Sequence, residues 1–330
     1  YTAKVLCFYC KSKKIRISTY DIFKKKISIQ VIEFKKNSVF IGTSDILGAR
    51  NYNISNIDPS EITSYGLGYA LKYLSKKYKN IYVGMGGTLI ADGGSGAVEG
   101  YGGKFIDYNG KEIKDIIPKK IHKIMKVEKP NIFKKNNIYF LMDGKTYFKD
   151  LDIPLNNKIG SKFKRKKPIM KKFLLKRIKS YFSKISHKKI SDIKYSANAG
   201  AIWLSFFNLK NTFALNGAKF ISDISGIEKY NDNKNILITG EGIFDNSLIG
   251  KGPVYLCKKL NRIKKNYYLT GKFLPKIKIY KHKIFYKSKY LSNKHNINNL
   301  FLLKKSKLTR KNVFIQLNDF SKKYLEFNSI

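Results

Sequence analysis

Arginine is nearly absent from this chain. Of its 67 basic residues only six are Arg (Arg16, Arg50, Arg165, Arg177, Arg262, Arg310), and 22 acidic residues leave a formal charge of +45 over 330 residues. Specific readers of bases and phosphates depend on the planar, bidentate guanidinium, so a surplus built from Lys argues against nucleic acid as the partner. Lys, Ile, Asn, Tyr and Phe, whose codons are made mostly of A and T, dominate the chain. The charge is therefore read mainly as codon drift, with polyanion binding as the alternative. Cysteine is down to three and proline to seven. Three thiols build no disulfide framework, which makes a reducing cytoplasm the expected compartment. Cys7-Phe-Tyr-Cys10 has no second pair for zinc, and its neighbours Val5, Leu6 and Phe8 read as buried packing. His122, His187, His282 and His295 are scattered without metal-ligand spacing. No run reaches the roughly eighteen uncharged apolar residues of a membrane helix, and Tyr1 to Tyr9 lacks the order of a secretory leader. Membrane association is not expected.

What is present suffices for one large or two ordinary domains, because 43% of the residues are hydrophobic. Short apolar or alternating runs recur at Ser28 to Phe34, Ser38 to Ile41, Asn80 to Val83, Ile138 to Met142, Ile236 to Thr239 and Tyr267 to Thr270. They predict strands. Helical periodicity separates several of them, over Tyr65 to Tyr78, Ala199 to Leu209 and Val254 to Lys265. Strands interleaved with helices predict an α/β protein with a largely parallel sheet. Gly217 to Thr239 is the candidate domain crossover. From Ile153 to Ser191 there is no acid, and Lys162 to Lys179 holds ten bases. There Phe163, Phe173, Tyr181 and Phe182 fall near helical spacing, which predicts a core-facing stripe with solvated lysines around it.

Two loops carry the chemistry. Asn80-Ile-Tyr-Val runs straight into Gly84-Met-Gly-Gly-Thr-Leu-Ile-Ala-Asp-Gly-Gly-Ser-Gly96, and nine of the 24 glycines lie between Gly84 and Gly103. Such a loop, at the carboxyl end of a strand and ahead of a helix, suits anion binding through backbone N–H groups. A tight structural turn is the alternative. Thr88 adds a hydroxyl and Asp92 a carboxylate, while the Gly-Lys-Ser/Thr of a P-loop is missing. The second loop, Ile236-Leu-Ile-Thr-Gly-Glu-Gly-Ile-Phe-Asp245, places Glu241 and Asp245 beside glycines, with Gly250, Lys251 and Pro253 after them. Acids without a His or Cys partner favour phosphate, Mg²⁺ or sugar-acid chemistry over nucleophilic hydrolysis.

In this order the two loops resemble the signatures of the type I glycerate kinase family. Gly84 to Gly96 is similar to Gly-x-Gly-Gly-Ser/Thr-x-x-Asn-Asp-Gly-Gly-x-Gly, and Thr239 to Asp245 with Gly250-Lys251-x-Pro253 to Thr-Gly-Glu-Gly-Arg-x-Asp and Gly-Lys-x-Pro. Thr63-Ser-Tyr-Gly-Leu-Gly68 resembles the family's Thr-Ser-Tyr/Arg-Gly-x-Gly at a helix start. Ser38 to Gly48 and Gly103 to Glu112 match flanking strands and turns. The resemblance implies two α/β domains, one inserted in a Rossmann-like domain, with the active site in the cleft between them. Residues 1–225 would be the inserted domain with the glycine loop, and 226–330 the C-terminal part of the Rossmann-like domain. It implies ATP and Mg²⁺ as cofactors and D-glycerate as the small-molecule substrate. Gly86, Gly87, Thr88, Gly93 and Gly94 would hold phosphate or the substrate carboxylate. Asp92, Glu241 and Asp245 would be the catalytic acids, contacting Mg²⁺ or the hydroxyl, and Lys251 would neutralise phosphate.

Departures from the family pattern are equally concrete. Ala91 replaces Asn, Ile243 replaces Arg, one residue is missing between Asp245 and Gly250, and Asp143, matching the family's Cys-Asp, is followed by Thr146-Tyr147 in place of Asn-Pro. The Gly-Pro-Gln-Lys-Gly element survives only as Gly160-Ser161-Lys162, and the glycine-rich helix entry as Ser196 to Gly200. The family's Asp-Ser-x-Lys and Asp-Gly-Gly-x-Gly motifs would precede residue 1, so the chain starting at Tyr1 is expected not to phosphorylate glycerate by itself. The pattern fits a fast-drifting enzyme or a copy losing its activity.

Overall fold

The computed structural model describes residues 2–48, 52–128, 130, 136–144, 146–151, 167–185, 190–207, 209–244, 251–274, 280–282, 285–287 and 289–302. Two compact units emerge, Tyr1–Ser225 and Gly226–Ile330. The α/β expectation holds, and the sheets are rich in parallel pairs.

Unit 1 is built on a six-stranded sheet in the order β1-β2-β3-β4-β7-β8. β1 (Lys13–Tyr20) and β2 (Lys26–Lys35) form an antiparallel hairpin. Its turn is closed by Asp21, whose Oδ1 accepts the N–H groups of Phe23 and Lys25, both at 2.8 Å. β3 (Ser38–Gly42) adds antiparallel to β2, and from there β3, β4 (Asn80–Gly84), β7 (Asn137–Met142) and β8 (Thr212–Asn216) are parallel. A separate two-stranded ribbon joins β5 (Lys104–Ile106) to β6 (Lys126–Glu128). Parallel neighbours need crossovers, and helices supply them. α2 (Thr43–Leu47) and α3 (Tyr65–Ser75) lie between β3 and β4, α4 (Ser95–Tyr101) between β4 and β7, and α5 (Lys167–Ile185) and α6 (Ile202–Phe206) between β7 and β8.

Alternation decides which face is core. Ile81, Val83, Ile138 and Phe140 point to one side of the sheet, where Leu67, Leu71 and Leu74 of α3 meet them, all fully buried. Each such leucine contributes about 2 kcal/mol by leaving water. The other side carries a row of rings: Phe34 meets Tyr82 at 5.3 Å, Tyr82 stacks on Tyr139 at 4.8 Å, and Tyr139 on Phe213 at 5.3 Å. α1 (Thr2–Tyr9) and α7 (Gly217–Ser225) cover part of this row through Leu6, Phe220 and Ile224. Phe8, expected in the core, is 81% exposed, because α1 turns Leu6 inward and its neighbours two residues away outward. On α5, Leu174, Ile178, Tyr181, Phe182 and Ile185 form one buried stripe, while Lys172, Lys176 and Lys179 face water. Phe173 is half-buried, and Phe163 lies outside the described residues. The sole tryptophan, Trp203 on α6, is 4% exposed and packs on Phe140 and Phe207.

Unit 2 has a five-stranded sheet in the order β11-β12-β13-β10-β9. β9 (Ile236–Phe244), β10 (Lys265–Phe273) and β13 (Asn299–Leu302) are parallel; β12 (Phe285–Lys287) and β11 (Tyr280–His282) extend the sheet antiparallel. α8 (Gly252–Lys259) crosses from β9 to β10, and α9 (Lys289–His295) precedes β13. Leu237, Val254, Cys257, Tyr268 and Leu300 form its core. Burial pushes the Cys257 thiol up to about 12, so it is packing rather than a reactive thiolate.

The Thr63 to Gly68 motif has a packing cause. A Cβ on Gly68 would run into the Ala97 carbonyl oxygen and come within 2.7 Å of the Tyr101 nitrogen, so α3 and α4 touch backbone to backbone there. Gly68→Val should therefore lower the stability of unit 1 by about 3 kcal/mol or more, since backbone must yield; thermal melting of the purified variant measures it, and an unchanged melting temperature would refute the contact.

Candidate active site

The carboxyl edge of the unit 1 sheet is where an α/β protein places its ligands. β3, β4 and β7 end side by side, with Gly42 opposite Gly84 and Gly84 opposite Leu141. Thr43, one residue past β3, clasps the start of the glycine loop. Its buried Oγ1 lies 2.9 Å from the Gly84 carbonyl and 3.1 Å from that of Gly86, and accepts the Gly86 N–H at 3.2 Å. Thr88 pairs as an isolated bridge with Gly48, and the Leu89 N–H donates to the Leu47 carbonyl at 2.8 Å.

Two unlike halves make up the loop. Gly86 and Gly87 are exposed and Thr88 is half-buried, whereas every residue from Leu89 to Val98 is buried. Asp92 organises the buried half. Its carboxylate, fully buried, accepts on Oδ2 from the Ser64 N–H (2.8 Å), the Ser64 hydroxyl (2.7 Å) and the Gly96 N–H (3.2 Å), and on Oδ1 from the Gly94 N–H (2.9 Å). Ser64 in turn accepts the Ala97 N–H at 2.8 Å. Burial raises the Asp92 pKa, and the four hydrogen bonds pull it back. Gly94, at φ 82, adopts a left-handed conformation and backs against Ile202, where a Cβ would lie 2.8 Å from the carbonyl oxygen. Gly93 faces Tyr181 and Phe182, and its carbonyl accepts the Ser205 hydroxyl, which also reaches the Tyr181 hydroxyl at 3.2 Å.

A third wall comes from the segment before α6. Ala199, Gly200 and Ala201 are successively left-handed, at φ 48, 74 and 67, and Gly200 presses on the Ile90 carbonyl. Asn198 Nδ2 donates to the Gly144 carbonyl at 3.2 Å, tying this turn to the end of β7. Asp143, beside Gly144, is exposed. The expected helix from Ala199 to Leu209 is thus cut to five residues by a left-handed entry.

In unit 2 the acidic loop is mostly strand. β9 continues through Thr239 to Phe244, and Glu241 lies opposite Thr270 of β10. Lys251, just before α8, sits 3.6 Å from Glu241 Oε1. Ile243 is 47% exposed. Asp245 and Gly250 lie outside the described residues, as do Gly160 to Lys162. The structure thus brings Gly86, Gly87 and Thr88 together at one strand edge, Asp92, Gly93 and Gly94 together in the buried half of the loop, and Glu241 beside Lys251. Among the described residues, no three His, Cys, Asp or Glu side chains are grouped to hold a metal ion, and no helix is long and apolar enough to cross a membrane. Sequence reasoning gave no role to Thr43, Ser64, Ser205 or Asp143. A hydroxyl directly after a strand-ending glycine, as in Gly42-Thr43, was the available signal for the first.

Comparison with known proteins bears on the same residues. The glycerate kinase family profile matches residues 2–311. A glycerate kinase of Neisseria meningitidis serogroup B (strain ATCC BAA-335 / MC58) is 23% identical over 233 residues, 68% of this chain and 61% of that protein, so the matched part spans less than two thirds of that relative. The crystal structure of a Salmonella typhimurium LT2 protein assigned as glycerate kinase 2 superposes with a TM-score of 0.68 at 17% identity, covering 99% of this chain and 87% of that one. At that identity the likeness is one of fold.

Asp92→Asn tests the buried half of the loop. An amide in this pocket turns an N–H toward another N–H, from Gly94 or from the Ser64 and Gly96 pair, and the mismatch should cost about 1–3 kcal/mol. Urea denaturation should show a lowered midpoint with unchanged slope; a midpoint equal to that of the unaltered protein would mean that the four hydrogen bonds do not hold the loop.

Proposed function

Because the chain belongs to the glycerate kinase family, we propose that it serves transfer of the ATP γ-phosphoryl group to a hydroxyl of D-glycerate, a small-molecule reaction of the cytoplasm. The observation that supports this reading is the exposed turn Gly86-Gly87-Thr88 at the carboxyl end of a parallel sheet. Phosphoryl transfer asks little covalent chemistry of a protein; positioning and charge neutralisation suffice. Gly86 offers open, Cβ-free backbone for close approach, its own N–H being held by Thr43; Gly87 and Thr88 are assigned to present a backbone N–H and a hydroxyl to a phosphate or to the substrate carboxylate. Lys251 offers a cation to phosphate. Mg²⁺ takes one or two carboxylates together with substrate phosphates, and Glu241 and Asp245 fit that sparse donor set; when bound, the ion neutralises charge on the phosphates. Asp143, the exposed acid at the end of β7, is assigned to accept the proton of the substrate hydroxyl. Asp92, Gly93 and Gly94 are assigned to hold the exposed turn in place from beneath. Unit 1 corresponds on this reading to the inserted domain and unit 2 to the C-terminal part of the Rossmann-like domain.

A second reading, a homologue without activity, is favoured by one observation: Ile243, an exposed apolar side chain, stands where relatives carry Arg. Assay of the protein expressed from its full reading frame separates the two. Glycerate-dependent ADP release at about 1 s⁻¹ or more, in the range of kinases, is the expected result, with Asp143→Asn lowering kcat at least tenfold at unchanged melting temperature. A folded protein without glycerate-dependent turnover would leave the inactive homologue standing.

A further inference from the structure

At the opposite end of the same parallel strands lies a cavity of about 590 Å³. It is framed where β3, β4, β7 and β8 begin, by Asn37, Lys79, Asn136, Asn137 and Asn211. Backbone bonds set these starts in a row: Asn80 N–H donates to the Asn37 carbonyl (3.0 Å), Asn137 N–H to that of Lys79 (2.7 Å) and Ile138 N–H to that of Asn211 (2.9 Å). The lining residues include Lys76, Lys77 and Lys79, all exposed, and neither Asp nor Glu. The carboxyl end of α3 attracts cations in its last turn, which accounts for Lys72 and Lys76. It does not account for Lys79, which lies past the helix, one residue before β4.

A second observation points to a ligand. Asn136 is 1% exposed and lines this cavity. Its Nδ2 donates to the Ser75 carbonyl at 2.8 Å and to that of Tyr78 at 2.5 Å, closing the end of α3, while its Oδ1 has no hydrogen-bond partner. A buried acceptor left without a donor is costly in a folded protein. A neighbouring cavity of about 650 Å³ is lined by Lys11, Lys13, Lys35 and Lys36 and by one acid, Glu33, which accepts the Tyr78 hydroxyl, so the balance of charge next to Asn37 is positive.

We propose that this cavity is a second binding site, taking a small phosphorylated molecule whose hydroxyl or amino groups meet the asparagine amides and whose phosphate meets Lys76, Lys77 and Lys79. Its volume is that of small-molecule sites, too small to admit a nucleic-acid duplex. It is separate from the glycine loop: α3, with its start at Ser64 tied to Asp92 and its end at Ser75 on the cavity, spans roughly 16 Å. The site therefore does not depend on the kinase reading.

Hydrogen exchange of the whole chain, with inorganic pyrophosphate as probe at physiological ionic strength, tests it. Pyrophosphate should slow exchange several-fold at residues 76–80 and 136–138. The slowing should persist in K172A/K176A/K179A, which removes the same charge from α5, and vanish in K76A/K77A/K79A. Absence of slowing at these segments, or equal slowing in the cavity variant, overturns the proposal. So does equal slowing by a single-stranded oligonucleotide at the same phosphate concentration, which would assign the surface to nucleic acid.

Discussion

A carboxylate sealed from water is tolerable only where donors replace the water, and the Asp92 carboxylate meets four donors from two stretches of unit 1. Ser64 belongs to the entry of α3, Gly94 and Gly96 to the entry of α4, and Asp92 itself closes the loop that leaves β4. One side chain thereby fixes the relative position of two crossover helices and the strand between them. The glycines nearby follow from this arrangement, because helices drawn this close meet backbone to backbone. The turn from Gly86 to Thr88 precedes that buried base in the same loop and is held by the Thr43 clasp from the end of the adjoining strand.

Much of the architecture was legible in the sequence because it rests on local rules. Apolar alternation located β2, β3, β4, β7 and β10 and the start of β9 to within a few residues, and the acid-free lysine run contained a helix whose aromatics Tyr181 and Phe182 point inward. The errors arose where a long-range partner overrode the local signal. Gly240 and Gly242 read as the end of a strand, yet β9 stays paired with β10 as far as Phe244, and Gly240 is required there because a Cβ would strike the Leu269 carbonyl of β10. A glycine demanded by a neighbouring strand and one demanded by a turn are the same letter. Likewise Ala199 and Ala201 carry no mark of the left-handed backbone that shortens α6.

The candidate site shows the same division. The motif from Gly84 to Gly96 was visible as a unit, and composition alone cannot separate its ligand-accessible residues from those that pack. Accessibility does so: Gly86 and Gly87 are open, whereas Gly93 lies against Tyr181 and Phe182 and the Gly94 N–H is already engaged. Thr43 and Ser205, from stretches 41 or more residues away in sequence, hold the loop from either side. No spacing rule reaches that far.

Trp203 gives the fold a property of its own. It is the single indole in the chain, it belongs to unit 1, and it sits two residues past the left-handed turn, in contact with Phe140 and Phe207. Emission excited at the red edge of indole absorption therefore reports the environment of unit 1 alone, while unit 2 stays dark. The two units can be followed separately during denaturation, indole emission marking the loss of one and backbone dichroism the loss of both, without any label or substitution.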